Sequence, residues 1–497
     1  MSHWTVTVIG ILVLAVGPVT GANPSHDFDS AGVDHIVGES LKRWEVPGVA
    51  LAIVRGEETV HLKGYGTKRV GVNDPVTPDT LFPLASCTKA FTSTLTAILA
   101  DDGKLAWDDQ VGKHLPGFHL SDPNADALVT LRDLLTHRTG VAGHDLLWYR
   151  APWDADEVIR RIAHVPVTGR FRGDYHYTSL MYMAAGRAAA RAAGSPWETL
   201  VRDRICTPLG MSGVAFTTAE AEKAKDRATG HRRTKGGAVE PMPGYTIREP
   251  NPAGSLHATA RDLSAWLKFH LAGGMVDGKR LVSAANLTET KTPHTVMRKD
   301  EVVGPVYPDS HQVSYAMGWA VYDHRGRLVV AHGGVIDGIR VQVTLLPNEK
   351  VGFVLLNNLH ETKMNIALGN KIIDHMFGLE PKDWDSYFLK VEKDERDAKR
   401  SEIERRNKSR RTGTRPSVPL DQFAGEYRDA AYGTGKVTAD GGKLVWEWSS
   451  FRCPLEHFQD DAFRVTEGYF EDQLVEFAGV NGRPLRLRAM GVVFERK

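Results

Sequence analysis

The sequence predicts an α/β protein in which an antiparallel sheet is flanked by helices, with an added helical subdomain and a small all-β barrel domain after it. Three observations support this prediction. Strand patterns occur at residues 49–66 and return at 317–357, while residues 105–280 between them are mostly helical in periodicity. Beyond residue 419, short strands with glycine turns follow at even spacing, which is typical of a small barrel or sandwich.

Length and charge limit the classes of protein to consider. A chain of 497 residues is expected to form two or more domains. With 62 basic and 61 acidic residues, its net charge is +1, so no overall field favours nucleic acid or an anionic membrane as a partner. Three widely spaced cysteines form neither a disulfide framework nor a zinc motif, and the scattered histidines lack ligand spacing. We therefore expect no metal and no cofactor.

The N-terminal segment differs from the rest of the chain in its apolar composition. Residues 4–19 are almost continuously apolar and are followed by small residues up to Ala22. This run is short for a membrane span, so residues 1–22 are predicted to be a secretory signal peptide. An uncleaved N-terminal anchor is the alternative. The signal predicts a secreted, extracellular or periplasmic protein.

The first elements after the signal form a helix and a hairpin. Residues 35–44 have amphipathic helical spacing, and strands at 49–54 and 59–66 are joined by a short polar turn. An apolar helical pattern then follows Ser86. Further helices are predicted at residues 130–137, 180–192, 197–205 and 259–271, the first and last of them with a capping-box pattern.

The second half returns to strands. These are predicted at residues 317–322, 327–331, 339–346 and 351–357, followed by a helix at 364–376. Alternating charges then predict a solvated helix and linker. The predicted domains are a hydrolase-type domain at 23–385, the charged linker at 386–418 and the barrel at 419–497. Barrel strands are predicted at 425–427, 436–438, 444–448, 462–465, 474–477, 485–487 and 492–494.

A serine and a lysine lie one helical turn apart at the start of the helix near residue 86. Ser86 and Lys89 share a helix face, so a hydroxyl and an amine lie within reach of each other. A serine hydroxyl becomes a useful nucleophile when a nearby base takes its proton. The alternatives are a capping serine followed by a solvated lysine, or the neighbouring Cys87 as a thiol nucleophile.

Two later motifs contain candidate partners for this serine. Residues 175–179 include Tyr177, and nearby cations would lower the pKa of its phenol and favour a proton-accepting phenolate. Residues 332–335 begin with His332 and two glycines, which leave room for a substrate backbone beside a strand. The alternatives are aromatic packing for Tyr177, and a bulge with a surface histidine for His332.

Together the three motifs resemble those of the serine β-lactamase and penicillin-binding protein superfamily. The similarity is greatest to its class C β-lactamase-like branch, which includes D-stereospecific peptidases and esterases. Residues 134–140 and 252–256 also match, and the resemblance covers about residues 30–378. It implies a β-lactamase/transpeptidase-like fold, and residues 419–497 resemble the lipocalin-like module often attached to this branch.

The resemblance implies roles for individual residues. Ser86 would be the acylated nucleophile, Lys89 its proton partner and Tyr177 the general base. The backbone N–H groups of Ser86 and Val335 would form an oxyanion hole. The residues implied in substrate binding are Ser179, His332, Gly333, Gly334 and Val335.

Two positions depart from the family pattern. Ser179 stands where the second motif usually has asparagine, and His332 where the third has lysine. A histidine is neutral above its pKa near 6.5, so it would hold a carboxylate weakly at ordinary pH. These departures put β-lactamase activity in question more than hydrolysis itself.

The sequence thus predicts a secreted serine hydrolase that acts through a Ser86 acyl-enzyme on small amides, peptides (including D-amino-acid peptides) or esters. The alternative is a catalytically weak or inactive binding or scaffolding protein with the same fold. A small molecule or peptide is the expected partner, with no nucleic acid and no membrane beyond an uncleaved anchor. The sequence does not indicate an oligomeric state.

Overall fold

A computed structural model describes residues 28–300, 303–480 and 483–497. The predicted signal peptide, residues 1–22, lies outside the described residues. None of the described helices is long and apolar enough to cross a bilayer. The described chain forms a large sheet with helices on both faces, a helical subdomain and a C-terminal barrel.

Eight strands within the described residues form one antiparallel sheet. The N-terminal hairpin joins the later strands because Gly48–Arg55 pairs directly with Val351–Asn357. The predicted antiparallel sheet, interrupted by a helical insert, is therefore confirmed. In spatial order the strands are Glu58–Gly66, Gly48–Arg55, Val351–Asn357, Ile339–Leu346, Arg327–Ile336, Ala320–His324, Val313–Tyr315 and Thr295–Met297.

Both faces of the sheet are covered. Along Gly48–Arg55, Leu51 and Ile53 pack into one apolar cluster, and Ala52 and Val54 pack into another on the opposite face. Such two-sided burial explains why this strand is almost wholly apolar. The helices on the first face are Ser30–Trp44, Met364–Met376 and Trp384–Lys408, and those on the second are Thr88–Asp101 and Ala260–Leu271.

The remaining helices form the insert and the subdomain, and helical turns also precede the nucleophile helix and the barrel strands. The capping boxes predicted at Thr130 and Thr259 are present, with Asp133 and Asp262 at their third helical positions. The helices are Val111–His114, Pro123–Leu128, Leu131–Leu135, Ala155–Ile162, Ser179–Ala193, Trp197–Val201, Thr218–Ala221, Ala284–Glu289 and Val303–Val306, with a π-helical turn at Arg202–Cys206 and 3-10 turns at Ala85–Cys87, Asp145–Leu147 and Leu420–Phe423. Short two-stranded pairs are Phe82–Pro83 with His257–Ala258, His231–Arg233 with Val239–Pro241, and Met275–Val276 with Lys279–Arg280.

One strand of the sheet is longer than predicted. Arg327–Ile336 continues five residues past the predicted end at Ala331, because it stays paired with Ile339–Leu346 through Gly333 and Gly334. Its pairing with the strand on the other side stops at Ala331. Residues 332–336 therefore have an open edge, although the strand lies inside the sheet.

The C-terminal residues form a closed antiparallel barrel, as predicted. The structure adds one strand, Phe451–Gln459, which sequence reasoning missed because it contains Pro454. The barrel contacts the subdomain, where Arg161 donates a hydrogen bond to the Ala431 carbonyl at 2.7 Å. Its strands are Gly425–Asp429, Gly433–Asp440, Lys443–Trp448, Phe451–Gln459, Ala462–Val465, Leu474–Val480, Arg483–Ala489 and Val492–Arg496.

Candidate active site

Ser86 lies in a short 3-10 turn, Ala85–Cys87, that leads into the Thr88–Asp101 helix. The prediction that it stands at a helix start is confirmed. Ala85 has a φ of +45°, a conformation that costs a non-glycine residue free energy and is concentrated at functional sites. The neighbouring Cys87 is buried, with its thiol pKa raised to about 12 by burial. Ser86, half-buried beside it, is the better nucleophile.

Lys89 is fully buried and points its amine at this serine. Its Nζ donates hydrogen bonds to Ser86 Oγ at 3.1 Å and to the Ala253 carbonyl at 2.8 Å. Burial lowers the pKa of Lys89 from 10.5 to about 7, and the charge of Asp145 only partly opposes that shift. A substantial share of the Lys89 side chains is therefore neutral near pH 7 and able to accept a proton.

Tyr177 lies beside the same pair, with its ring centroid 4.9 Å from Lys89 Nζ. Burial raises the pKa of Tyr177 well above 10, and its hydrogen bond with Ser86 only partly offsets this. The pKa therefore shifts in the opposite direction to the one expected from nearby cations, because loss of water disfavours the phenolate more strongly. In this site Tyr177 is a protonated phenol.

A buried histidine lies behind Tyr177. His137 has no exposed surface, and its ring centroid lies 4.4 Å from that of Tyr177 and 4.7 Å from that of Tyr315. The Thr178 N–H donates to His137 Nδ1 at 3.3 Å, which places the ring proton on Nε2. Burial lowers the pKa of His137 well below 6.5, so the ring is neutral and packs against Tyr177 as an apolar support.

His332 is buried rather than on the surface, with 7% of its area exposed. Its Nδ1 lies 2.6 Å from the Gly333 carbonyl oxygen and must donate to it, so Nε2 accepts from the Tyr315 hydroxyl at 3.0 Å. Burial lowers the pKa of His332 from 6.5 to about 3. The side chain is neutral with both nitrogens occupied, so it offers no charge to a substrate carboxylate.

The glycine after Gly333 allows the strand to approach the nucleophile turn. A Cβ on Gly334 would lie 2.2 Å from the Leu84 carbonyl oxygen, so no larger residue fits there. Gly333 and Val335, on either side of it, are exposed. The strand edge therefore lies against the Ser86 turn, although the oxyanion role of the Val335 N–H stays a prediction.

One more residue that the resemblance implies, and two groups that it does not, belong to the site. Ser179 is buried at the first position of the Ser179–Ala193 helix, and its role in substrate binding stays a prediction. Sequence reasoning did not identify Tyr315 or the Ala253 carbonyl. The Pro252-Ala253-Gly254 match to the family offered a signal for the latter, but the three-residue strand around Tyr315 offered none. No three metal-ligating side chains cluster in the part of the chain that the structure covers.

Comparisons with known proteins agree with this geometry. Residues 33–373 match the Beta-lactamase family, and residues 409–492 match a domain of unknown function, DUF3471. The unguisins hydrolase ungD of Aspergillus violaceofuscus is 28% identical over 96% of this chain and 90% of its own. Penicillin-binding protein 4 of Amycolatopsis lactamdurans is 30% identical over 69% of this chain and 86% of its own.

A solved structure shows the same architecture. The octameric penicillin-binding protein homologue from Pyrococcus abyssi superposes with a TM-score of 0.63 at 20% identity, over 94% of this chain and 99% of that one. At this identity the likeness concerns the fold, including the position of the barrel after the sheet domain. On the extent of the family match and the fold, the chain belongs to the beta-lactamase family.

Proposed function

We propose that this protein is a serine hydrolase that cleaves small amides, peptides or esters through an acyl-enzyme on Ser86. The observation that carries the proposal is the Lys89 amine, 3.1 Å from Ser86 Oγ and with a pKa of about 7. A buried amine that is partly neutral at pH 7 is a general base matched to its working pH. Retention of this pair argues against an inactive scaffold.

In the proposed acylation step, neutral Lys89 takes the Ser86 proton while Oγ bonds to the substrate carbonyl carbon. The carbonyl oxygen becomes the oxyanion, which the backbone N–H groups of Ser86 and Val335 would stabilise. Because Tyr177 is a protonated phenol, its proton can pass to the leaving nitrogen or oxygen as the carbonyl re-forms. The Lys89 ammonium then restores the phenol proton, which completes the proton balance.

Deacylation uses the same groups with water as the nucleophile. Neutral Lys89 accepts a proton from water as the water oxygen bonds to the acyl carbon. The bond from the acyl carbon to Ser86 Oγ then breaks, and the Lys89 ammonium returns that proton to Oγ. The result is a free acid and the regenerated enzyme. In this proposal Lys89 is the base and Tyr177 the acid, which differs from the role that the family resemblance implies for Tyr177.

The substrate class follows from the charge of the site. His332 is neutral and its ring nitrogens are both hydrogen-bonded, so a carboxylate finds no cation at this position. We therefore infer that β-lactams and peptides that depend on a carboxylate contact here are poor substrates. The chain is 28% identical to a protein named as an unguisins hydrolase, which supports a hydrolase whose substrate is not a β-lactam.

The test is labelling of the nucleophile together with turnover. A fluorophosphonate probe followed by peptide mapping should modify Ser86, and p-nitrophenyl ester hydrolysis should disappear in Ser86→Ala. Ser93→Ala is the matched control, since Ser93 is a buried serine on the helix that follows the nucleophile. A folded protein, checked by circular dichroism, that carries no adduct on Ser86 would overturn the proposal.

A further inference from the structure

A cavity of about 540 Å³ lies between the nucleophile side of the sheet domain and the barrel. Its walls come from residues 142–146, 148 and 149, from the strand end at Val335 and from the barrel. Val335 also follows the glycines beside the Ser86 turn. The barrel contributes Tyr432, Tyr469 and Met490. Gly143 also lines it, and a Cβ on Gly143 would lie 4.0 Å from the Tyr177 carbonyl oxygen. A ligand in this cavity therefore lies near the backbone of a catalytic residue and touches both parts of the molecule.

Aromatic rings form much of the wall. Tyr469 has 60% of its surface exposed, an unusual exposure for a large aromatic side chain, and its ring centroid lies 5.8 Å from that of Tyr149. Trp148 packs edge-on against Tyr149 with a centroid distance of 5.8 Å. Tyr432 is fixed by a hydrogen bond of 2.7 Å to His144 Nδ1. Rings presented in this way bind apolar groups, and they bind cations through their faces.

The charge of the lining is negative. Among the residues that the structure describes, no lysine or arginine lines the cavity, whereas Asp145 and Asp337 do. His144 and His360 also line it, and burial lowers the pKa of each, which favours their neutral forms. Arg150, which does not line the cavity, pairs with Asp337 at 3.9 Å, and its guanidinium carbon lies 5.4 Å from the Tyr149 ring centroid.

The two carboxylates differ in their availability. Asp337 is mostly buried and accepts hydrogen bonds from the Tyr149 hydroxyl at 2.6 Å and from the Tyr245 N–H. Asp145 is exposed. Its carboxylate accepts one hydrogen bond, from Trp148 Nε1 at 2.8 Å, and no cation pairs with it in the chain as described. The negative charge of Asp145 opposes the lowering of the Lys89 pKa by burial and adds to the raised pKa of Tyr177, so it acts on both groups.

We propose that this cavity is a substrate subsite for a protonated amine on an apolar or aromatic body, with Asp145 as its counter-ion and Tyr432 and Tyr469 of the barrel completing its aromatic wall. This inference rests on the proposed function and narrows its substrate class. It favours amides, esters or peptides with a free ammonium group near the scissile carbonyl. Acylation of that amine removes the charge that the subsite recognises.

Binding tests the subsite without turnover. In a Ser86→Ala background, phenylalaninamide of each configuration is titrated against its N-acetyl derivative by calorimetry at about pH 6, where the amine is protonated. At least one configuration should bind about tenfold more tightly with the free amine. Asp145→Asn should reduce that preference to about twofold or less. Equal affinity of the free and acetylated compounds, or a preference unchanged in Asp145→Asn, would overturn the inference.

The matched control is Asp203→Asn. Asp203 is an exposed carboxylate in the Arg202–Cys206 turn, forms no ion pair with any described residue and does not line the cavity. The Asp203→Asn variant should therefore keep the preference for the free amine. Tyr469→Ala should weaken the binding of both phenylalanine compounds, because the aromatic wall contacts the phenylalanine side chain that both of them have.

Turnover separates this inference from the proposed function. For free and N-acetylated phenylalanine p-nitroanilides, the ratio of kcat/KM should favour the free amine and fall in Asp145→Asn. Loss of Asp145 also changes the pKa of Lys89, but Lys89 acts on both substrates, so that effect cancels in the ratio. A protein labelled at Ser86 without amine preference contradicts the subsite alone. A protein with amine-dependent binding but no labelling contradicts the hydrolase proposal alone.

Discussion

Lys89 is fully buried, and no carboxylate forms an ion pair with it among the described residues. Its pKa is about 7 in the folded chain against 10.5 for an exposed lysine. Between these values the unfolded chain binds more protons than the folded one, so the free energy of unfolding rises with pH through this window. Below pH 7 both states are protonated and the destabilisation is largest. The group that we propose as the base therefore lowers stability at neutral pH.

Lys89→Met should abolish turnover and stabilise the protein. Removing the buried amine should raise the free energy of unfolding at pH 7 by about 2 to 5 kcal/mol, offset in part by the lost hydrogen bonds. That advantage over the wild type should shrink by about 2 kcal/mol between about pH 7 and pH 9. Urea unfolding of the variant and the wild type at the two pH values measures this difference in the free energy of unfolding.

Lys104→Met is the control, because Lys104 is exposed and forms no ion pair in the described structure. Its free energy of unfolding should follow that of the wild type at both pH values. A difference between Lys89→Met and the wild type that stays constant from pH 7 to pH 9 would show that the lysine is not deprotonated in the fold.

The residue types of the site were predictable, but their protonation states were not. The spacing of Ser86 and Lys89 and the order of the later motifs place Tyr177 and His332 with them. The pKa of each depends on burial by segments far away in sequence, such as the one with Ala253 that accepts a hydrogen bond from Lys89. A motif identifies the side chain, whereas the packing around it sets its charge.

At the scale of elements, the short helix Leu131–Leu135 anchors the loop that carries His137. Asp133, at its third helical position, is buried and accepts hydrogen bonds from the Thr130 N–H at 2.9 Å and from Arg138 at 2.6 Å. Arg172 adds a hydrogen bond of 2.8 Å from the segment that leads to Tyr177. One carboxylate thus joins the two segments that pack against each other behind the nucleophile.

Asp133→Asn should destabilise the protein by about 3 kcal/mol or more, because it leaves two guanidinium groups without their anionic partner. The kcat/KM for an ester should fall as well, since the support behind Tyr177 loosens. Thermal unfolding and ester kinetics measure the two effects. Since these contacts lower the pKa of Asp133, its contribution should be complete above pH 3.8 and be lost as the pH falls through the lowered value.

The control is Asp122→Asn. Asp122 caps the neighbouring helix Pro123–Leu128 by accepting from the Ala125 N–H at 2.8 Å, and asparagine caps a helix equally well. This variant should retain the wild-type melting temperature. Equal losses in both variants would contradict a special role for the buried carboxylate.

Strand and helix patterns predicted most of the elements, and the exceptions have local causes. The helix Met364–Met376 and the strand Val351–Asn357 have the predicted bounds, because continuous apolar faces mark them. Phe451–Gln459 was missed because Pro454 suggests a break in the strand. In the barrel, however, Pro454 is paired with Val445 of the neighbouring strand. The last five residues of Arg327–Ile336 were missed because paired glycines indicate a strand end, whereas pairing with a partner strand decides it.

At the scale of the whole molecule, the barrel packs against the helical subdomain through a small set of contacts. Trp153 and Trp448 meet edge-to-face with ring centroids 6.3 Å apart, and the Arg161 guanidinium stacks on the Trp153 ring at 4.0 Å. Ser449 donates to the Arg150 carbonyl at 2.6 Å. Composition predicted a separate barrel, but no local pattern predicts a contact between residues about 300 positions apart, so the joint cavity was not predictable.

Arg161 is the residue whose loss should weaken the contact between the barrel and the helical subdomain. It donates to the Ala431 carbonyl, stacks on Trp153 and pairs with Glu157, with only 17% of its side chain exposed. Arg161→Ala should lower the free energy of unfolding by about 1 to 2 kcal/mol through the lost hydrogen bond and cation–π contact. It should also speed proteolysis between residues 409 and 418 and lower kcat/KM for amine-bearing substrates, because Tyr432 and Tyr469 move with the barrel.

The neighbouring arginine supplies the matched control. Arg160 pairs with the same Glu157 at 2.8 Å, but 61% of its side chain is exposed, and it forms no hydrogen bond or ion pair with the described residues of the barrel. Arg160→Ala should change stability by less than about 0.5 kcal/mol and leave proteolysis and kinetics as in the wild type. If both variants are cut at the same rate and hydrolyse amine-bearing substrates equally well, docking of the barrel does not govern the active site. If only Arg161→Ala is affected, the barrel is part of the substrate-binding machinery as well as of the fold.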